Sequence, residues 1–215
     1  NDDFPELGGD TTLEQCLKET NEIGFSGIEA GGKFPKNSNE LIPKLEKENL
    51  KLCSGWYGAN LLKNTVKEEI LVMKDQLDLF KECNAPCMVV AEVSGSIQGE
   101  VKIPLSKRPI LNMDEWKTFY NKISEISKYM EDTGVPLAYH HHMGTVVQSQ
   151  EDTERLIDNT SDTVKLLIDT GHMMFAGGDF IKIAKDYSSR LHHIHCKDIR
   201  KDVLDMSLKN DLSFI

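Results

Sequence analysis

The stretch Tyr139-His140-His141-His142-Met143-Gly144-Thr145 follows a short apolar run, Val135 to Ala138. Three consecutive histidines at the end of a predicted strand place imidazoles where regular backbone stops. Two later stretches have the same form. Leu166-Leu167-Ile168 runs into Asp169-Thr170-Gly171-His172, and Leu191-His192-His193-Ile194-His195 runs into Cys196-Lys197-Asp198. Three strands that each end in His or Asp point to one shared site. Residues two apart on a strand share a face. His140 and His142 therefore lie together and His141 opposes them. His193, His195 and Lys197 share one face of the last strand, and His192, Ile194 and Cys196 the other. The best converging set is His140, Asp169 and His195. Imidazole and carboxylate together suit Mn²⁺, Co²⁺, Fe²⁺ or Zn²⁺ better than Ca²⁺ or Mg²⁺, and a catalytic centre keeps positions open for water or substrate oxygens. A lone strand-end histidine is more often a hydrogen-bonded polar residue, and Asp169-Thr170-Gly171 alone reads as a turn. The conjunction of three strand ends carries the metal reading. His141, His192 and His193 are left as structural or supporting residues.

Outward from these stretches the chain alternates helix and strand. A capping box at Thr11-Thr12-Leu13-Glu14 opens a helix that runs to Ile23. Further helices are predicted over 39–48, 65–83, 112–130, 149–159 and 179–187. Strands are predicted over 25–29, 51–54, 88–92, 135–140, 164–169 and 191–196. Short continuous apolar strands are typical of a parallel sheet covered by helices. No Gly-x-Gly-x-x-Gly follows the first strand, so the dinucleotide-binding fingerprint is missing. Glu29, Trp56, Glu92, His140, Asp169 and His195 stand at the C-terminal ends of successive strands, where a (β/α)8 barrel builds its active site. The expected fold is thus an α/β (β/α)8 TIM barrel forming a single domain over residues 1–215. Such a barrel has eight strands and about 250 residues. With six strands counted, the first and eighth are expected to be missing and the domain truncated at both ends. The irregular stretch 93–111 is long for a compact domain, and loops of that length are usually functional or disordered. It is expected to cover the substrate.

Bulk properties exclude several classes. The 215 residues carry a net charge of −10, with 39% apolar and 28% charged residues and no Lys/Arg-rich segment. This charge disfavours nucleic acid and an anionic membrane as partners, and neither is expected. No apolar run approaches the ~20 residues that span a bilayer, and no secretory signal is visible. Five cysteines, Cys16, Cys53, Cys83, Cys87 and Cys196, have no paired spacing. They read as reduced thiols of a cytoplasmic protein, mostly buried. Cys196, although beside the site, reads as a small core residue.

The motifs also resemble a known family. Gly24-Phe25-Ser26-Gly27-Ile28-Glu29, Ile168-Asp169-Thr170-Gly171-His172 and His193-Ile194-His195-Cys196-Lys197-Asp198 resemble the second-, sixth- and seventh-strand motifs of the xylose isomerase-like barrel superfamily. That superfamily contains sugar isomerases and epimerases with a divalent metal at the barrel mouth. Four further segments resemble its inosose dehydratase branch. They are Asn1-Asp2-Asp3-Phe4-Pro5-Glu6-Leu7-Gly8-Gly9, Gly32-Lys33-Phe34-Pro35, Ser94-Gly95-Ser96-Ile97-Gln98-Gly99 and His140-His141-His142-Met143-Gly144-Thr145. The epimerases usually carry Glu where His140 stands. The resemblance implies metal ligation by His140, Asp169 and His195, with a fourth ligand, a Glu of the eighth strand, absent from this chain. It implies Mn²⁺ or Co²⁺ as cofactor and dehydration of 2-keto-myo-inositol to a trihydroxycyclohexane-dione in inositol catabolism.

Such a reaction needs a base for the C–H beside the ketone, an acid for the departing β-hydroxyl, and a Lewis acid at the ketone oxygen. Acid–base candidates are Glu92, His142, His172 and Lys197, with His142 favoured because it shares a face with His140. Substrate-binding candidates are Glu29, Lys33, Trp56 and Gln98. Lys33 would neutralise enolate charge or hold a hydroxyl, and Trp56 would wall the ring's C–H face or simply pack the barrel mouth. The expected partner is a small polyol ketone, with homo-oligomerisation possible. Alternative readings are a sugar isomerase or epimerase of the same fold and a non-catalytic sugar-binding barrel. A DNA-repair metallonuclease on this fold is disfavoured by the charge and the missing basic groove.

Overall fold

Side-chain caps decide where most helices begin. The computed structural model describes residues 8–215, so most of the 1–9 motif lies outside the described residues. Helix α1 (Leu13–Ile23) starts at Thr12, whose hydroxyl accepts from the Gln15 amide. The cap is therefore one residue later than the sequence pattern of Thr11 and Glu14 suggests, and Glu14 reaches Lys44 instead of closing a capping box. Full capping boxes open α3 (Val66–Glu82) at Thr65 and Glu68, α4 (Met113–Thr133) at Asn112 and Glu115, and α5 (Gln150–Asp158) at Ser149 and Asp152. Asn37 caps α2 (Ser38–Lys47). Each such cap contributes about 1 kcal/mol. The short α6 (Thr170–Phe175) and α7 (Phe180–Asp186) start at Asp169 and Asp179. The last helix, α8 (Lys201–Lys209), has no side-chain cap. Helix α6 and α8 were not anticipated from the sequence.

The strands are β1 (Gly27–Ala30), β2 (Lys51–Ala59), β3 (Met88–Glu92), β4 (Leu137–His140), β5 (Lys165–Asp169) and β6 (Leu191–His195). They pair in parallel in sequence order, β1-β2-β3-β4-β5-β6. This is the strand succession of a (β/α) barrel, six strands of it among the described residues. Strand β2 runs five residues beyond the predicted stop at Ser54, because Gly55 and Gly58 interrupt the apolar pattern without ending the ladder to β3.

Parity sorts the sheet into two faces. Met88, Val90, Leu137, Tyr139, Leu166 and Ile168 belong to the large core between strands and helices, with Phe80, Phe119, Ile123 and Ile126 packed from α3 and α4. Burying each such side chain is worth roughly 1.5–3 kcal/mol. The alternate residues Val89, Ala138 and Leu167, with Cys87, form a separate small cluster, which fills the inner side of the curved sheet. His140, Asp169 and His195 have the parity of this inner set and stand one step above it, at the strand ends.

Candidate metal centre and cavity

Asp169 is the hub of the site. It is the last residue of β5 and the N-cap of α6, so its Oδ1 accepts the His172 amide at 2.9 Å. The backbone amide of Asp169 donates to His141 Nε2 at 3.2 Å. These two bonds fix a fully buried carboxylate with Oδ2 turned into the mouth of the sheet. Around Oδ2 stand Lys197 Nζ at 2.6 Å, His140 Nε2 at 3.4 Å, His195 Nδ1 at 3.4 Å and His172 Nε2 at 3.8 Å. Lys197 approaches because residue 171 is glycine; a Cβ there would lie 2.8 Å from the Lys197 Cβ.

Hydrogen-bond partners assign the tautomers. His140 Nδ1 lies 2.6 Å from the His141 carbonyl oxygen. A carbonyl only accepts, so the proton sits on Nδ1 and Nε2 presents its lone pair to Asp169. His142 Nδ1 likewise donates to the Met143 carbonyl at 2.8 Å, which leaves its Nε2 unprotonated. His172 is reversed: Nδ1 accepts from the Met143 amide at 3.4 Å, so Nε2 carries the proton. His195 Nε2 lies 3.0 Å from Glu29 Oε1, while its buried Nδ1 has no hydrogen-bond partner among the described residues.

The lone pairs of His140 and the unpartnered nitrogen of His195 thus face one carboxylate oxygen. Such an arrangement is favourable only with a cation or a proton at that oxygen, a place the Lys197 ammonium takes at 2.6 Å. The donor set of two imidazoles and a carboxylate fits a divalent metal. Ligand atoms close enough to share an ion are found in two groups, His140, Asp169 and His172, and Glu29, His193 and His195, so His195 is grouped with Glu29 and not with His140 and Asp169. The tautomer of His172, with its proton aimed at Asp169, argues against it as a ligand.

The electrostatics follow from this geometry. Burial pushes the Asp169 pKa up, but the close approach of His140 and His195, the neighbouring His172 and the hydrogen bond from Lys197 outweigh burial and hold the carboxyl far below the usual range. Burial lowers His140, and for His142 burial and the neighbouring His140 push the ring down to about 3. His195 moves the other way, up to about 9, because Asp169 and Glu29 overcome the opposing effect of burial.

A cavity of about 540 Å³ opens beside this centre, lined by Trp56, Gln98, His140, His142, His195 and Lys197. The Trp56 ring meets His140 and His142 edge-on at 5.6 and 5.5 Å. Gln98 arrives from the 93–111 loop, which is tied to the histidine turn by the Ile97 amide on the Gly144 carbonyl at 3.0 Å. Gly144 has φ +81°, and a Cβ there would lie 2.9 Å from the Gln98 amide nitrogen. The Gln98 Oε1 atom is buried and unpartnered among the described residues. Phe214 completes the wall, its ring 5.2 Å from His142 and 5.3 Å from His172. Nothing in the sequence marks this phenylalanine, which stands outside any helix or strand.

Several expected roles are corrected. Glu92 has the parity of Met88 and Val90, faces the helix layer and is outside the cavity wall; Oε2 accepts the Leu61 amide at 2.7 Å and Oε1 the Ser94 amide at 2.8 Å. Each oxygen accepts a backbone amide and the residue does not reach the cavity, so the geometry does not bring Glu92 to a substrate bound there. Lys33 points away, its ammonium held by the carbonyls of Gly8, Gly9 and Thr11. Glu29 is bonded to His193 and His195 and is also outside the cavity wall. His172 is buried behind His142 instead of lining the cavity. Among the cysteines only Cys87 is buried, and Cys196 is exposed, because it follows the last inward residue of β6.

A sheet of parallel strands in sequence order, with imidazole and carboxylate groups gathered at its C-terminal rim, is the architecture of a (β/α) barrel with a candidate metal site. Residues 17–211 match the family described as xylose isomerase-like TIM barrel, and the chain belongs to it. The rhizopine catabolism protein MocC of Rhizobium meliloti is 41% identical over all of this chain and 66% of its own length. Inosose dehydratase 2 of Bacillus cereus is 40% identical over all of this chain and 73% of its own length. The chain thus spans about two thirds to three quarters of these relatives. The resemblance to inosose dehydratases read from the motifs is borne out at this level. Among solved structures, the probable 3-DHS dehydratase AsbF of Bacillus anthracis superposes with a TM-score of 0.70 at 15% identity, covering 93% of this chain and 73% of that one. This supports the fold. Among the described residues no helix is long and apolar enough to cross a membrane.

Proposed function

We propose that this chain acts as a metal-dependent hydro-lyase that dehydrates 2-keto-myo-inositol. The observation that carries the reading is the convergence of His140, Asp169 and His195 from three strands on one carboxylate oxygen, beside a cavity. Similarity along all of this chain to an inosose dehydratase, over 73% of that relative's length, supports the substrate. A divalent cation, Mn²⁺ or Co²⁺, held by these three residues would polarise the ketone and stabilise negative charge on its oxygen.

The chain's own residues supply the proton transfers. His142 presents an unprotonated Nε2 at the cavity, while Nδ1 is locked on the Met143 carbonyl. It is placed to accept the proton from the carbon beside the ketone. Lys197 carries an ammonium at the same rim and can donate to the departing hydroxyl. The unpartnered Gln98 Oε1 accepts a hydrogen bond from a ring hydroxyl, and Trp56 packs against ring C–H groups. His172 supports His142 from behind, the ring centroids 3.9 Å apart. The five unpaired thiols support a cytoplasmic setting.

Incubating the full-length protein with inosose and Mn²⁺ tests the reading. Loss of one water from the substrate mass, with new ultraviolet absorbance from a conjugated enol-dione, is expected. An isomerase would leave the mass unchanged, and a sugar-binding barrel would leave substrate untouched; either result overturns the proposal.

A further inference from the structure

We infer that Glu29, anchored by His193, is a positioning residue that fixes the His195 ring so that Nδ1 is presented to the metal centre. The inference rests on the metal reading above and assigns Glu29 a role other than substrate contact.

The contact spans the two ends of the described sheet. Glu29 belongs to β1 and the two histidines to β6. They meet across the inner side of the curved sheet, where no backbone pairing joins them. His193 and His195 are two apart on β6 and so both point inward. One oxygen, Glu29 Oε1, accepts from His193 Nε2 at 2.6 Å and from His195 Nε2 at 3.0 Å.

An imidazole has two nitrogens, and a neutral ring carries one proton. A carboxylate against Nε2 holds that proton there and leaves Nδ1 as the lone pair. Nδ1 of His195 is the atom that stands 3.4 Å from Asp169 Oδ2 without a hydrogen bond of its own. Remove the carboxylate, and the proton can occupy either nitrogen while the ring turns more freely about its last torsion. Part of the population then shows N–H where a lone pair is needed. His193 contributes by pinning the same oxygen, so that Glu29 cannot swing toward solvent.

The three groups could instead form a second metal site, since their ligand atoms lie close together. The geometry favours hydrogen bonds. A metal would need about 2.0–2.1 Å to each ring nitrogen and both rings deprotonated at Nε2, whereas one oxygen sits at N–H···O distance from both. A substrate-contact role is disfavoured because Glu29 is outside the cavity wall.

The experiment compares the full-length protein with its Glu29→Gln variant, using Mn²⁺ alone as the probe. Competition titration is expected to show one Mn²⁺ per chain in both proteins and an affinity about 10- to 100-fold lower in the variant. In parallel, ¹⁵N NMR of the metal-free protein in alkaline buffer, where the ring is neutral, is expected to show His195 as a single Nε2–H tautomer, lost in the variant. Equal Mn²⁺ affinities would overturn the inference. So would two Mn²⁺ per wild-type chain with one lost in the variant, or a tautomer mixture in the wild type. If the wild type binds no Mn²⁺, the proposed function falls, and the NMR tautomer still decides the positioning role by itself.

Discussion

Two strand-end carboxylates, Asp169 on β5 and Glu92 on β3, are almost equally buried, at 0% and 1% exposure. Their surroundings are opposite. Asp169 faces His140, His195 and Lys197, and its pKa is driven down. The Glu92 carboxylate meets the Leu61 amide, Ser94 and the charge of Glu69, and burial raises its pKa despite the hydrogen bonds from Ser94 and Leu61. Position at the end of a barrel strand is therefore not enough to make a carboxylate part of the chemistry. The side of the strand it projects from decides whether side chains of other strands or the turns of its own chain will surround it.

The largest expected effect breaks the comparison on the Asp169 side. Asp169→Asn keeps the size but removes the charge shared by two imidazoles and an ammonium. Loss of the metal's contribution, several kcal/mol in the transition state, corresponds to roughly a 10³-fold or greater fall in kcat/KM. Metal titration of the same variant should show affinity lowered in parallel. Activity within tenfold of wild type would show that Asp169 is not a ligand.

Glu92→Gln tests the other half. An amide group would replace one carboxylate oxygen, leaving the Leu61 or Ser94 amide facing another donor. The expected cost is about 1–3 kcal/mol of stability, read by denaturant unfolding, with kcat of the folded fraction unchanged. A kcat loss as large as that of Asp169→Asn with normal stability would restore Glu92 to the catalytic group.

This contrast also marks how far the sequence could be read. The barrel strands were legible because β3, β4 and β5 are short apolar runs, and parity correctly grouped His140 with the inner face. The same parity, applied to Met88-Val89-Val90-Ala91-Glu92, assigns Glu92 to the helix-facing side; the signal was in the sequence. Lys33 and Phe214 are different. Lys33 turns to carbonyls of the 8–11 segment, and Phe214 reaches the cavity from beyond α8. Neither contact has a periodicity behind it, because both join irregular segments distant in sequence. Cys196 was misread for a simpler reason: its strand ends at His195, so the expected inner and outer faces no longer apply to it.

A smaller effect is expected at Gln98, which sharpens the comparison by adding a third buried acceptor. Glu92's oxygens are satisfied by backbone amides and those of Asp169 by the His172 amide and surrounding side chains, whereas Gln98 Oε1 is left for a ligand. Gln98→Leu removes one hydrogen bond to a substrate hydroxyl, worth about 1 kcal/mol. KM should rise roughly fivefold at nearly constant kcat, in steady-state kinetics with inosose. A fall in kcat with unchanged KM would place Gln98 in the chemical step instead.

The gentlest test uses pH on the metal-free protein. His195 has a folded pKa of about 9 against an ordinary 6.5. Its contribution is fully present below 6.5 and is lost as pH rises through 9. His141 and His142 have folded values of about 3, mainly because burial disfavours their charged forms. Their contribution is present above 6.5 and declines as pH falls toward 3, since the unfolded chain then binds protons that the folded chain refuses. Glu29, at about 2 against 4.5, adds to the acid-side loss below 4.5, its two histidine bonds outweighing the burial that opposes them. The two limbs slope away from neutrality in opposite directions, so metal-free stability should peak near neutral pH. Denaturant midpoints across the range would show this. Glu29→Gln should flatten the alkaline limb, because Glu29 is one of the groups that hold the His195 proton. An alkaline limb of unchanged slope in that variant would mean that Asp169 alone sustains the charge on His195, and the hub would then be independent of the opposite end of the sheet.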